Sequence, residues 1–407
     1  MIAESIATWV EGYSPSETDL QLAQRSLIDT LAVTLGARSH PLRRLLDAES
    51  EATRWAAIGH VLDFDDLHVE STSHVSVVCV AATLASGGDA RAYLTGAGVM
   101  ARLGSALGWQ HYEAGWHATC TVGCFAAAVC ASVACGLSPA EVAHALALAV
   151  PAAGGVQRAF GTDAKSLQVG FAVDAGLRAA RLVRAGARAD PTALDAWFAL
   201  LEGDPSVLDL SGPSIPGGLA LKLFPCCYAL QRPIVATREL VREGLTTEMV
   251  DEVIVRTPAA TIQPLIHHRP TTALEGKFSL EYGIAASILD EYPGFVSFSD
   301  DAVRRAAADE LISRVRVEAA AGGSSLLSGT FQIEVRCADG SIREAALGAP
   351  PGVPGGPSVE EAFSEKLRAC GDDVPELLSI VTWESAPQML RRELATSDLR
   401  APGSHTK

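Results

Sequence analysis

The pattern of apolar and polar positions divides the chain into a long helical stretch, a mixed middle and a short helical return. From residue 1 to about 221, apolar residues recur at three- and four-residue steps, as in "TDLQLAQRSLIDTLAVTLGA" and "EVAHALALAV". Short Gly- or Pro-bearing turns such as "LASGGDA" and "ACGLSP" separate these segments, and nothing among them alternates as a strand does. Beyond Pro225 the texture changes. "VDEVIVRT", "ISRVRVEAA" and "GTFQIEVRCADGSIREAAL" alternate apolar with polar, and "ADG" marks a hairpin turn. "LEGKFSLEYGIAASILDEY" interrupts them with a helical period, and the Pro/Gly-rich "GAPPGVPGGP" closes the middle part. Helical spacing returns in "SVEEAFSEKLRACG" and "VPELLSIVTW", and the tail "ATSDLRAPGSHTK" reads as disordered.

Three segments carry helix-start chemistry: Ser14-Pro15-Ser16-Glu17, Ser138-Pro139-Ala140-Glu141 and Ser358-Val359-Glu360-Glu361. In each, the first Ser can accept from the amide three residues on while the Glu reaches back, and in the first two Pro takes the first helical position. No internal repeat of solenoid length is present. The expected architecture is mainly α: residues 1–221 helical, 222–355 a smaller α+β unit, and 356–407 a return to helix followed by the tail.

Composition narrows the partners. The chain has 407 residues, of which 48% are apolar and 20% charged, enough for two domains or one large core with an insertion. A net charge of -16 argues against a nucleic-acid backbone or an anionic membrane surface. An anionic substrate would be repelled by that field, so its site must gather cations locally. The start of the chain lacks a basic segment followed by an unbroken apolar one, which argues against a secretory signal. Residues 118–140 are nearly uncharged but built from Ala, Cys, Thr, Gly and Ser, which suits a buried helix better than a membrane span. Nine cysteines without a disulfide rhythm fit a reducing cytoplasm. Cys120, Cys124, Cys130 and Cys135 match no common metal spacing and read as small buried hydrophobes.

Candidate chemistry lies in three places. The chain writes Arg 27 times and Lys only five times, and Lys165, Lys222 and Lys277 stand in otherwise uncharged, Gly- or aromatic-flanked settings. A lysine so placed is either a compact point charge in a pocket or a snorkelling surface residue. His117, in "AGWHATCTVG", precedes small residues that can start a helix, whose free amides suit an anion; a satisfied structural histidine is the plainer reading. Residues 59–78, "GHVLDFDDLHVESTSHVSVV", crowd four carboxylates and three histidines together. They can be a polar loop ending in a cap at Ser71 to Ser73, a metal site for which the usual spacing is missing, or a proton-transfer site built on Asp63 and His74.

The order of "DFDD" with a following His, "GWHATCTVGCFAAA", "GTDAKSLQVG", "LKLFPCCYA" and "KFSLEYGIAASILD" resembles the MmgE/PrpD family, typified by 2-methylcitrate dehydratase and cis-aconitate decarboxylase, over nearly the whole chain. The resemblance implies a large all-helical domain built from both ends of the chain, an inserted α+β lid, a homodimer, and a cleft site that needs no metal or organic cofactor. In the decarboxylase branch the family's functional positions match Asp63, His74, His117, Lys165, Lys222 and Tyr282. Proton removal beside a carboxylate creates an enediolate-like dianion, so cations and donors must face the place where that charge develops. His74 and His117 then serve as proton shuttles, Asp63 orients one of them, Tyr282 donates to an oxyanion or leaving group, and Lys165 and Lys222 hold carboxylates.

Three positions depart from the family pattern. Leu67 stands where Thr is common, Gln168 replaces the His of a Lys-x-x-His, and Gln231 replaces a His nine places after the second lysine. Gln can hydrogen-bond a substrate but cannot shuttle a proton at neutral pH, and Gln168 is accordingly expected among the substrate-binding residues. The chain is also short for the family between the first helix and "DFDD". The resulting expectation is a cytoplasmic, cofactor-independent lyase that dehydrates or decarboxylates a small di- or tricarboxylate, with no nucleic-acid or membrane partner. An epimerase of an imino- or amino-dicarboxylate, or a non-catalytic carboxylate binder, remains as the alternative. Asp63 and His74 are expected to face the cleft, with His74 within ~8 Å of Lys165 and His117, while Asp65, Asp66 and Glu70 face solvent or cap amides.

Overall fold

The computed structural model describes residues 1–355 and 359–395. Ser358 and the tail beyond Ala395 lie outside the described residues, so neither the third helix-start reading nor the disorder expected of the tail is addressed there. The remainder is mainly helical with one four-stranded sheet.

Helix starts follow local capping chemistry. At Pro139–Ala149, Ser138 and Glu141 form the expected capping box. The first box is shifted by two residues: Glu17–Gly36 is capped by Ser16, with Asp19 reaching back, rather than by Ser14 with Glu17. Pro15 therefore sits outside the helix, and a carboxylate one carbon shorter closes the box. The uncharged segment forms the helix Ala118–Ala134, buried from Ala118 to Ser132. It packs lengthwise on Asp163–Arg184 and Ala90–Glu113. Among the described residues no helix is long and apolar enough to cross a membrane.

Close helix approach explains the small residues. A Cβ built on Gly176 would stand 2.6 Å from Ala127 Cβ and in collision with the Cys124 carbonyl. A backbone atom cannot yield as a side-chain tip can, so Gly176→Ala is expected to destabilise the fold by about 1–3 kcal/mol, read as a lowered midpoint in thermal or urea denaturation.

The expected strands form β1 (Val250–Pro258), β2 (Val315–Ala320), β3 (Phe331–Cys337) and β4 (Ile342–Leu347), in the order β2-β1-β3-β4. β1 runs parallel to β2 and antiparallel to β3, and the β3–β4 hairpin turns at Ala338–Gly340 as the "ADG" signal suggests. Phe331, Ile333, Val335 and Cys337 point inward, while Arg256, Arg316 and Arg336 cross-link Glu252, Glu318 and Glu334 on the other face.

Apolar burial gathers in two large clusters. One draws on residues from Ile2 to Leu219 and again from Cys370 to Leu390; the other on Phe160 and residues from Phe224 to Cys337. The two ends of the chain are joined by specific contacts: Lys366 Nζ donates to Asp29, Gln24 Nε2 to the Val381 carbonyl, and Arg391 to Glu51. Phe160 against Phe278, and His267 donating to the Phe160 carbonyl, connect the two clusters beside the site described next.

Candidate active site

The residues between His60 and His74 alternate in direction. Asp63, just past the helix Glu51–Val61, has φ +52°, a left-handed conformation that Asp tolerates better than most side chains. Asp63 and Asp65 turn to one side, where the lysines and histidines gather. Phe64 and Asp66 turn to the other, with Lys366 Nζ over the Phe64 ring and Asp66 receiving hydrogen bonds from Ser76 N and Oγ.

Asp65 and Asp66 were expected to face solvent or cap amides; both are buried, and only Asp66 caps, at the start of the helix Val75–Ala85. The cap is therefore not the Ser71–Ser73 segment. Those serines bond each other, and Ser71 bonds His68, closing a small loop. Glu70 is exposed as expected.

Burial and the nearby Asp29 push Asp66 up to about 7, far above the ~3.9 of an unfolded chain. The folded protein thus holds a proton that the unfolded chain has released, so this contribution to stability is present below about pH 4 and is lost as pH rises toward 7. Asp66→Asn keeps an acceptor for Ser76 and removes the titration. Between pH 5 and 8 its denaturation midpoint is expected to fall less than that of the parent protein.

His74 and His117 occupy equivalent places, each the N-cap of an apolar helix: Val75–Ala85 and Ala118–Ala134. His74 N donates to Thr119 Oγ1 at 3.0 Å, which ties the two helix starts together. Lys165 and Lys222, 102 and 159 residues beyond Asp63, both donate to its Oδ1 at 3.0 Å, and Lys222 also donates to the Asp63 carbonyl at 2.8 Å. His74 Nε2 lies 3.6 Å from the same Oδ1, which keeps His74 and Lys165 within the expected ~8 Å.

Sequence reasoning gave His60 and Asp65 no part in this site. His60 Nδ1 donates to Asp65 Oδ2 at 2.8 Å, and His60 Nε2 receives Lys165 Nζ at 2.5 Å. His74 Nδ1 faces the same Asp65 oxygen at 3.1 Å, without the alignment of a full hydrogen bond. The His60 ring stands 4.7 Å from that of His74 and 5.8 Å from that of His117, between the two expected proton shuttles. The available signal was the histidine in the last turn of the helix leading into "DFDD".

Two expected residues are placed differently. The Tyr282 hydroxyl donates to the Ser297 carbonyl, and its ring lies against Phe298 in the second apolar cluster, with no described contact to the lysines or histidines. The helix Leu280–Leu289 turns it inward, so it is a core residue here. Gln168 donates to His117 Nδ1 at 2.6 Å and is thereby committed to a histidine rather than held free for a substrate. Gln231 binds the loop after Lys222, accepting from Leu223 N and Phe224 N. Lys277 Nζ donates to the carbonyls of Leu62 and Pro225, clamping the segments that carry Asp63 and Lys222; burial lowers it to about 8.

Electrostatically the cluster is two ion pairs with neutral imidazoles. Burial alone would push Asp63 and Asp65 up, but Lys165 and Lys222 hold Asp63 far below the usual carboxylate range, and Asp65 is held below it beside His60, whose Nδ1–H it accepts, and His74. Burial lowers Lys222, yet Asp63 and Asp65 outweigh it and raise it. Burial lowers all three histidines, His74 to about 4 and His117 well below its ordinary value. His60, Asp63, Asp65 and His74 present ligand-type atoms within 4.8 Å of one another. The Lys165 and Lys222 ammonium groups already take the cation's place at Asp63, so these donors fit ammonium pairing better than a metal.

Each ammonium has three donors. The described bonds use two of each, leaving one from Lys165 and one from Lys222. Asp63 Oδ2, Asp65 Oδ1 and His117 Nε2 are buried without partners. A small anion can be met by the free donors, a proton can be taken by one imidazole and given by another, and the charge can be stabilised in a dry site.

The MmgE/PrpD N-terminal domain matches residues 43–202 and the MmgE/PrpD C-terminal domain matches residues 224–377; the chain belongs to the MmgE/PrpD family. Among curated relatives, the cis-aconitate decarboxylase of Homo sapiens is 28% identical over 221 residues, covering 50% of this chain and 45% of that protein. That of Mus musculus is 26% identical over 291 residues, covering 65% and 59%. That of Aspergillus terreus (strain NIH 2624 / FGSC A1156) is 25% identical over 358 residues, covering 77% and 72%. The chain thus spans about half the length of the human and mouse relatives that it matches.

Proposed function

We propose that this protein is a lyase that decarboxylates or dehydrates a small di- or tricarboxylate by proton transfer between side chains. The observation that carries the reading is the convergence of Lys165, Lys222 and His74 on Asp63 Oδ1, with His60 linking them to His117. The MmgE/PrpD membership and the decarboxylase relatives support the reaction class.

In this reading the remaining N–H groups of Lys165 and Lys222 bind substrate carboxylates. Asp63 gathers the two ammonium groups on one carboxylate oxygen and so aims them at one place. His74, neutral and facing Asp65 through Nδ1, takes a proton at Nε2. His117 gives one from Nε2. Charge that develops beside a carboxylate spreads over its oxygens and is met by the two ammonium groups, which are already oriented and need little reorganisation. In this reading the α+β part acts as a lid that moves to admit the substrate to Lys222, His117 and His74, all of which are buried.

Incubation with cis-aconitate, 2-methylcitrate and related acids tests the proposal. Release of carbon dioxide, or absorbance from a new conjugated double bond, is the expected outcome. Solvent deuterium entering the acid with neither signal would replace the lyase by an epimerase, in which the same two imidazoles exchange protons on opposite faces of one carbon. Binding without any turnover, unchanged in His117→Ala, would leave a carboxylate-binding protein.

A further inference from the structure

We propose that Gln168 locks His117 in the tautomer that carries its proton on Nε2, so that His117 enters the reaction as the proton donor. This assignment rests on the reading of the cluster as a proton-transfer site and adds to it the direction of transfer.

The argument begins with the orientation of one amide. Gln168 Oε1 accepts from the Val156 backbone N–H at 3.3 Å, and an amide oxygen is the only end of that group able to do so. Nε2 is thereby turned to His117, where it donates to Nδ1 at 2.6 Å while its second hydrogen points toward the Val156 carbonyl at 3.4 Å. Cys120 Sγ stands 3.2 Å from the same Nδ1. Burial raises this thiol well above its ordinary value, so the sulfur keeps its hydrogen.

An amide N–H aimed at a ring nitrogen requires a lone pair there, and a neutral imidazole with a lone pair on Nδ1 carries its hydrogen on Nε2; the protonated Cys120 thiol can donate to the same lone pair. Burial first, and then the Lys165 ammonium, keep the ring neutral, so the tautomer rather than the charge decides what it can do. Nε2 itself is buried without a partner. Its ring is held by Phe160 on one side, edge to face at 5.0 Å, and stacks with His60 on the other. A buried N–H left unpaired is costly, about 1–3 kcal/mol, which fits a donor reserved for a ligand.

His60 is the contrasting case. Its Nδ1 meets a carboxylate and its Nε2 an ammonium, so its hydrogen is on Nδ1. His74 faces the same carboxylate through Nδ1, leaving Nε2 as a base. A histidine at position 168 could donate or accept and could itself titrate; glutamine fixes one choice. Gln168 is therefore a positioning residue, acting through His117.

The test is the nitrogen chemical shifts of the His117 ring, read by long-range proton–nitrogen correlation on the intact protein labelled with 15N-histidine. The parent is expected to show the Nε2–H tautomer at pH 7. Gln168→Glu offers an acceptor to Nδ1 and is expected to move the hydrogen there, lowering kcat by about 10²–10⁴-fold, the scale of a misplaced histidine proton, with a smaller change in KM. Gln168→Leu, which removes both donor and acceptor, is expected to give mixed tautomers and an intermediate kcat. An Nδ1–H tautomer in the parent, or an Nε2–H tautomer unchanged in Gln168→Glu, would overturn the proposal. Because the spectra need no substrate, the lock can be established even if no carboxylic acid is turned over, in which case only the lyase reading fails.

Discussion

Asp63→Asn is expected to lose about 3–5 kcal/mol of folding stability at neutral pH and to abolish turnover, because it leaves two buried ammonium groups facing a neutral amide. Asp63 is 2% exposed, Lys165 5% and Lys222 0%, so water cannot replace the missing charge. Asn occupies the left-handed backbone region as readily as Asp, so the φ of +52° introduces no competing strain and the variant isolates the charge. The loss has a characteristic pH dependence. Lysines without their carboxylate have folded pKa values depressed below those of the unfolded chain, so the unfolded state binds more protons and stability rises with pH. Urea denaturation at pH 7 and pH 9 should therefore show a deficit that shrinks at the higher pH. An equal midpoint for parent and variant at pH 7 would mean that Asp63 does not hold the lysines.

The second large effect concerns His74. His74→Gln is expected to lower kcat by about 10²–10⁴-fold, the usual contribution of a positioned proton acceptor, while KM changes little because the ammonium groups remain. The parent should also carry an acid limb far from that of an ordinary histidine. Burial lowers His74 to about 4 against the opposing pull of Asp65, so it remains a free base down to about pH 5 and loses activity only as pH falls through 4. A pH profile of kcat/KM that instead breaks near ~6.5, the value of an unperturbed imidazole, would place the essential base elsewhere.

Lysine usage illustrates how far composition reaches. A chain that writes 27 arginines and five lysines places four of those lysines, 165, 222, 277 and 366, in buried settings. Arginine usage identifies the exceptions, but not their partners. Lys165 and Lys222 share one carboxylate oxygen, Lys277 binds two backbone carbonyls, and Lys366 pairs with Asp29 on the far side of the Asp63–Asp66 segment.

What the sequence determined by itself is local. Three- and four-residue periodicity specified the helices, alternation specified β1 to β4, Ser138 with Glu141 specified a cap, and the small residues after His117 specified a helix start, since each depends on neighbours within one or two turns. What only the tertiary structure decided is which side chains meet. His60 and Asp65 join the site because a helix end and a loop fold against a lysine about a hundred positions onward; Tyr282 leaves it because its helix faces the other apolar cluster; and Gln168 turns to His117 because a distant amide holds its oxygen. Such partners are set by packing across the chain, where burial makes an unpaired charge or donor costly enough that geometry, rather than local preference, selects each contact.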